Sequence, residues 1–227
     1  LKEENDFKLT DDILGHITKD IDLIILNNPH NPSGTVIDAG LLQAIVKYCR
    51  KHGVYILCDE SFIDFLEGAD ERSIIHFGYD KVISIRAFTK YYGLAGVRLG
   101  YAVSSDHELL HKMKNSGPTW NVSVLAQAAG IGVLEAGTDI REAVRKEREY
   151  LYDELTALGF YVIKSHVNFL LFFSEDEQLF EKLMERGILI RDCSDFTGLK
   201  KDWYRVAVRM HTENAALIEA MESISKL

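Results

Sequence analysis

The chain has 227 residues, 47% of them hydrophobic and 27% charged, with a formal net charge of −9. That balance is globular and leaves room for one large domain or two smaller ones, and its acidity argues against nucleic acid or an anionic membrane as partner. No apolar run approaches the roughly 20 residues that span a bilayer, no secretory signal opens the chain, and Cys49, Cys58 and Cys193 are scattered without metal-ligand spacing, as expected of reduced thiols in a cytoplasmic protein.

Taken in order, Thr10, Asp11 and Asp12 can cap a short helix. Residues 22–27, with Leu-Ile-Ile-Leu inside them, form a continuous apolar run of the kind buried on both faces of a parallel sheet. The run ends in NNPHNPSG (27–34), whose two prolines demand an extended, stiff turn. Over residues 38–52, Leu41, Leu42, Ile45, Val46 and Cys49 fall on one helical face, and Gly53 supplies the stop. Residues 54–58 read as a second buried strand ending on Asp59-Glu60, residues 82–86 as a third, and residues 101–104 as a fourth; the helical signal between the second and third is weak. Strand, helix and strand repeated in this way predict an α/β fold with a mostly parallel sheet.

From Asp106 onward the pattern turns helical, over 106–116, 123–135 and 139–158. Strands at 160–164 and 169–173 follow, then a helix at 176–186, strands at 188–192 and 204–209, and a helix at 212–226. That order is α+β. The expected division is therefore a large domain over 1–138 and a small domain over 139–227, with the long charged helix as the link.

Three strand ends carry chemistry. Lys90 lies just past the third strand, Asp59 ends the second, and Asn31 sits in the turn after the first. Open α/β sheets bind ligands beyond the carboxyl ends of their strands. A pyridoxal phosphate site needs a lysine amine for the aldehyde, a carboxylate beside the ring nitrogen, a neutral donor for the ring oxygen, and arginine with hydroxyls for the phosphate. Lys90, Asp59, Asn31 and Arg98 supply those groups in turn. Singly each is weak, since Asp-Glu is commonly a cap and Asn-Pro commonly a turn.

Together the motifs resemble those of the fold-type I pyridoxal-phosphate-dependent aminotransferase family. NNPHNPSG is similar to the family's Asn-Pro-x-Asn-Pro-Thr/Ser-Gly turn, DESFIDF to its Asp-Glu-x-Tyr/Phe segment, and TKYYGLAGVRLGY to its Ser/Thr-Lys…Gly-x-Arg-x-Gly-Tyr segment. The resemblance runs from about residue 9 to the end. It implies that pyridoxal 5′-phosphate is the cofactor, with Lys90 bonded to its aldehyde and later moving protons. Asp59 would then hold the ring nitrogen, Asn31 the ring oxygen, and Thr89 with Arg98 the phosphate. It implies that Arg205 grips a substrate carboxylate and Arg191 a substrate phosphate, that the substrate is a small phosphorylated amino acid, that no metal takes part, and that the protein is a homodimer.

Two departures stand out: Phe62 replaces a tyrosine, and Ala87 a serine, that many members use on the cofactor. Within the family the motifs resemble histidinol-phosphate aminotransferase and threonine-phosphate decarboxylase of cobalamin biosynthesis. Phe62, the segment 118–123, and the Arg191–Arg209 region lean towards the decarboxylase. The family's glycine-rich phosphate turn and its ring-stacking aromatic are not recognisable in these residues. The chain is thus expected to represent the back of the large domain plus the small one, with an unpaired sheet edge and apolar surface. A non-catalytic cofactor-binding module and an inert fragment are the competing readings.

Overall fold

The computed structural model describes residues 1–225. By packing, the chain falls into two units. The N-terminal unit comprises Leu9–Pro29 and Ile37–Asp139; the C-terminal unit comprises Leu1–Lys8, His30–Val36 and Ile140–Leu227. The opening segment joins the C-terminal unit because Phe7 packs edge-on against Trp203, ring centroids 5.0 Å apart. The turn His30–Val36 joins it because Gly34 accepts a hydrogen bond from the His166 amide at 2.9 Å.

In the N-terminal unit the order is β1 (Leu23–Asn27), α1 (Ala39–His52), β2 (Tyr55–Asp59), α2 (Ala69–Arg72), β3 (Val82–Ala87), β4 (Gly100–Val103), α3 (His107–Ser116) and α4 (Val124–Ala136). The sheet order is β1-β2-β3-β4; β1, β2 and β3 run parallel and β4 antiparallel to β3. Helix α1 forms where its apolar spacing predicts. The Asp38 side chain accepts from the Gly40 and Leu41 amides, satisfying two of the donors a helix start leaves open, and Gly53 at φ 74° closes the other end. Its buried face, Leu42, Ile45, Val46 and Cys49, packs with Leu26, Ile56, Cys58 and Val82 of the sheet. The weak link between β2 and β3 is the single turn α2 with 3₁₀ turns at Ile63–Phe65 and Ile74–Phe77.

The expected apolar surface is present on β1: among the described residues only its α1 side is covered, with Leu26 buried and Leu23 46% and Ile25 70% exposed. Side chains alternate across a strand, so the exposed set is the face opposite α1. Strand β1 pairs only with β2 among the described residues, which leaves its other edge open. On α4, Val124, Leu125, Ile131 and Leu134 are exposed, and Trp120 before it is fully so.

The C-terminal unit contains α5 (Arg141–Ala157), β5 (Tyr161–Val162), β6 (Phe169–Phe173), α6 (Leu179–Glu185), β7 (Arg191–Asp192), β8 (Trp203–Ala207) and α7 (His211–Ser225). Its sheet, ordered β5-β6-β8-β7, is antiparallel throughout. The expected strands at 160–164 and 188–192 shrink to two residues each, because pairing stops where the chain turns away. Residue 226 of the last expected helix lies outside the described residues. One face of the sheet (Leu170, Phe172, Tyr204, Val206) packs on α5, α6 and α7 through Leu151, Leu155, Leu183, Leu217 and Met221. The other face holds Leu171 and Trp203 against Phe7, Ile163 and Cys193.

Candidate active site

In the N-terminal unit, Asp59 is the last residue of β2 and Lys90 lies three residues past the end of β3. Because β2 and β3 are parallel, both stand at the carboxyl edge of the sheet. The Asp59 Oδ1 accepts from the Ser61 amide at 2.9 Å, while its Oδ2 has no donor among the described residues. The Asn27 amide donates to the Asp59 carbonyl at 3.2 Å and steadies the strand end. Next to Asp59, the fully buried Glu60 side chain accepts from Ser73 Oγ at 2.7 Å, the Ile74 amide at 2.8 Å and Ser84 Oγ at 2.5 Å, with Arg86 Nε 3.4 Å away. A buried carboxylate needs such partners, and these bind the end of β2 to β3 and to the turn before it.

Lys90 is exposed, and its ammonium stands 5.7 Å from the centre of the Phe62 ring with no carboxylate partner among the described residues. Phe62 is buried and packs on Phe65. Arg98 takes a left-handed backbone, φ 57°, unusual for a residue with a side chain. Its guanidinium donates to the Ala95 carbonyl at 2.9 Å and meets no carboxylate among the described residues. Thr89 is half-buried beside them in sequence, and Ala87 ends β3. This unit thus presents a carboxylate with one idle oxygen, an amine and a guanidinium, none ion-paired among the described residues. Those are the complements of a protonated ring nitrogen, an aldehyde and a phosphate, so the residues fit pyridoxal phosphate.

In the C-terminal unit, Arg191 on β7 and Arg205 on β8 are direct cross-strand partners, and such partners share a sheet face. Arg205 donates to Asn31 Oδ1 and lies 4.9 Å from the centre of the Phe169 ring. Burial holds its guanidinium below the ordinary arginine value. Arg191 instead pairs with Asp195 at 2.5 Å and lies 5.7 Å over Phe196. Asn31, expected at the sheet edge with Asp59 and Lys90, therefore packs with the unit that contains Arg205. Its neighbour His30 bonds through Nδ1 to Ser33 Oγ at 2.8 Å, and burial pushes its imidazole down to about 4, so it is neutral near pH 7.

Sequence reading missed Glu60, Phe169 and Asp195. An acid after a strand gives no sign of being buried, and a phenylalanine inside FLLFF gives no sign of stacking on an arginine. It also took Gly34 only as part of a turn. Gly34 has φ 72°, and a Cβ there would stand 2.1 Å from Ser165 Oγ and 2.7 Å from Ser165 Cβ. Gly34→Ala is expected to destabilise the C-terminal unit by about 1–3 kcal/mol, from strain plus overpacking. Urea unfolding read by Trp203 fluorescence checks this; an unchanged midpoint would show that the turn yields freely.

The sequence profile described as aminotransferase class I and II matches residues 1–224. Threonine-phosphate decarboxylase of Salmonella typhimurium is 33% identical over 232 residues, covering 99% of this chain and 63% of that protein. Histidinol-phosphate aminotransferase of Methanosphaera stadtmanae is 32% identical over 231 residues, covering 98% and 61%. The crystal structure of the histidinol-phosphate aminotransferase from Clostridium acetobutylicum superposes with a TM-score of 0.91 at 28% identity, covering 97% of this chain and 69% of that one. The chain thus spans less than two thirds of the length of these two curated relatives.

Proposed function

The chain belongs to the aminotransferase class I and II family, whose fold is type I and whose cofactor is pyridoxal 5′-phosphate, and from that premise we propose that the complete protein decarboxylates L-threonine O-3-phosphate. The observation that carries a phosphorylated amino acid as substrate is the opposed pair Arg191 and Arg205. Like charges directly across two strands are unfavourable, and Asp195 compensates only Arg191; a substrate with a carboxylate and a phosphate would offer an anion to each arginine. Decarboxylation is favoured by the relative at 33% identity and by Phe62 at the place of the family's tyrosine.

Bound pyridoxal phosphate supplies an aldehyde for the substrate amine and a cationic ring that takes up the electron pair left at the α-carbon. The protein's own groups do the rest. Lys90 would hold the cofactor's aldehyde and would supply a proton to the substrate's α-carbon. Asp59 would hold the ring nitrogen and favour its protonated form. Asn31, whose Oδ1 accepts from Arg205, would hold the ring oxygen. Thr89 and Arg98 would hold the cofactor phosphate. Arg205 fixes the substrate carboxylate and Arg191 the substrate phosphate. Two anchors on a short substrate set the rotation about its Cα–N bond, and that rotation decides which bond breaks. Loss of the carboxylate as carbon dioxide, with a proton delivered to the α-carbon, would leave 1-amino-2-propanol phosphate.

The second reading is amino transfer from histidinol phosphate, favoured by the relative at 32% identity. The complete protein is expected to release carbon dioxide from O-phospho-L-threonine with no keto acid present. A strict need for 2-oxoglutarate, with glutamate formed, would assign the aminotransferase reaction. The protein would act as a cytoplasmic homodimer; no helix among the described residues is long and apolar enough to cross a membrane.

A further inference from the structure

We infer that Asp195 is a built-in competitor for the substrate's phosphate: it occupies the Arg191 guanidinium in the ligand-free protein and is exchanged for the incoming anion. The inference rests on the proposed role of Arg191 as phosphate anchor and adds a residue that sets the affinity of that anchor.

The two arginines of the cross-strand pair are treated differently. Arg205 has only neutral partners, the Asn31 amide oxygen and the Phe169 ring, and no carboxylate among the described residues. Its charge is half-buried and uncompensated. Arg191 bears a carboxylate at 2.5 Å from Asp195, four residues on. This pair is accessible: the Arg191 side chain is 49% and the Asp195 side chain 63% exposed. Ion pairs so open to water are weak and exchange readily.

Local structure explains why the pair forms. Strand β7 is only two residues long. The chain then turns: the Ser194 amide donates to Asp192 Oδ1 at 2.8 Å, and the Phe196 amide to the Cys193 carbonyl at 3.0 Å. This turn is anchored by the buried Cys193, whose amide donates to the Trp203 carbonyl at 2.9 Å. It brings Asp195 back over Arg191 and sets Phe196 beneath the guanidinium. Arg191 thereby lies between the Asp195 carboxylate and the Phe196 ring. An arriving phosphate replaces one oxyanion with another and finds the guanidinium already placed, with the Asp195 carboxylate moving out to water. The cost is affinity, because the carboxylate must be displaced and then repels the dianion at short range. The gain is that Arg191 and Arg205 do not face each other as two bare cations when no substrate is present.

Calorimetric titration of the cofactor-loaded complete protein with inorganic phosphate tests this. D195N is expected to tighten phosphate by about two- to fivefold at low ionic strength, and raising the salt is expected to shrink that gain. D195S is expected to match D195N, since charge and not shape is the cause. In an R191A background, D195N is expected to change nothing. Unchanged or weaker phosphate binding in both D195N and D195S, or the same gain in R191A/D195N over R191A, would overturn the role of Asp195. The underlying reading fails by a different result: R191A alone leaving phosphate affinity unaltered would show that Arg191 is not the anchor.

Discussion

Lys90→Ala is expected to lower turnover of the complete protein by at least the roughly 10²–10⁴-fold that a single proton-transfer group contributes. The loss is larger still if its bond to the cofactor also matters to the rate. The expectation comes from placement and from surroundings. Lys90 follows the carboxyl end of β3, where parallel sheets present ligand-binding groups. Its ammonium lies 5.7 Å from the centre of the Phe62 ring and has no carboxylate partner among the described residues. An amine that no described carboxylate holds is available to a carbonyl carbon brought beside it. Methylamine added to the variant is expected to restore part of the rate, because a free amine can do the proton transfer that the side chain no longer does. Steady-state and single-turnover assays on the variant decide it; turnover within tenfold of the parent would remove Lys90 from the chemistry.

Asp59→Asn is expected to lower turnover by roughly 10²-fold or more, the size seen when a group that stabilises developing charge is removed. Asp59 ends β2, and Glu60 beside it is tied down by Ser73, Ser84 and the Ile74 amide, so the carboxylate cannot easily drift. One oxygen accepts from the Ser61 amide, and the other has no donor among the described residues. An asparagine keeps the shape and the bond to Ser61 while removing the charge that keeps a ring nitrogen protonated. Looser cofactor binding should accompany the loss, measured by dialysis against free cofactor. A variant with near-normal turnover would point to another carboxylate.

Much of this was legible in the residues, for identifiable reasons. Helix α1 announced itself because its apolar spacing, its Asp38 cap and its Gly53 stop agree with one another. Strands β1, β2, β3 and β6 were marked by short continuous apolar runs. Asp59 and Lys90 stand after strands, as the apolar runs before them predict, and share one unit with Arg98, eight residues beyond Lys90. Burial was not legible: Ile25 reads like Leu26 in sequence, but one faces α1 and the other is 70% exposed. Long-range packing was not legible either. Nothing near Gly34 in sequence foretells Ser165 against it, and nothing near Asn31 foretells Arg205, 174 residues away. Two-residue strands such as β5 and β7 carry too little pattern to bound, since their ends are set by where a partner strand stops.

The most direct test of the central claim is chemical. The complete protein is loaded with pyridoxal phosphate, treated with sodium borohydride, digested with trypsin and mapped by mass spectrometry. The predicted result is one pyridoxyl label, on Lys90, in a peptide of residues 87–98 that trypsin leaves uncut at the modified lysine. A label on a different lysine, or a protein that retains no reducible cofactor, would contradict it.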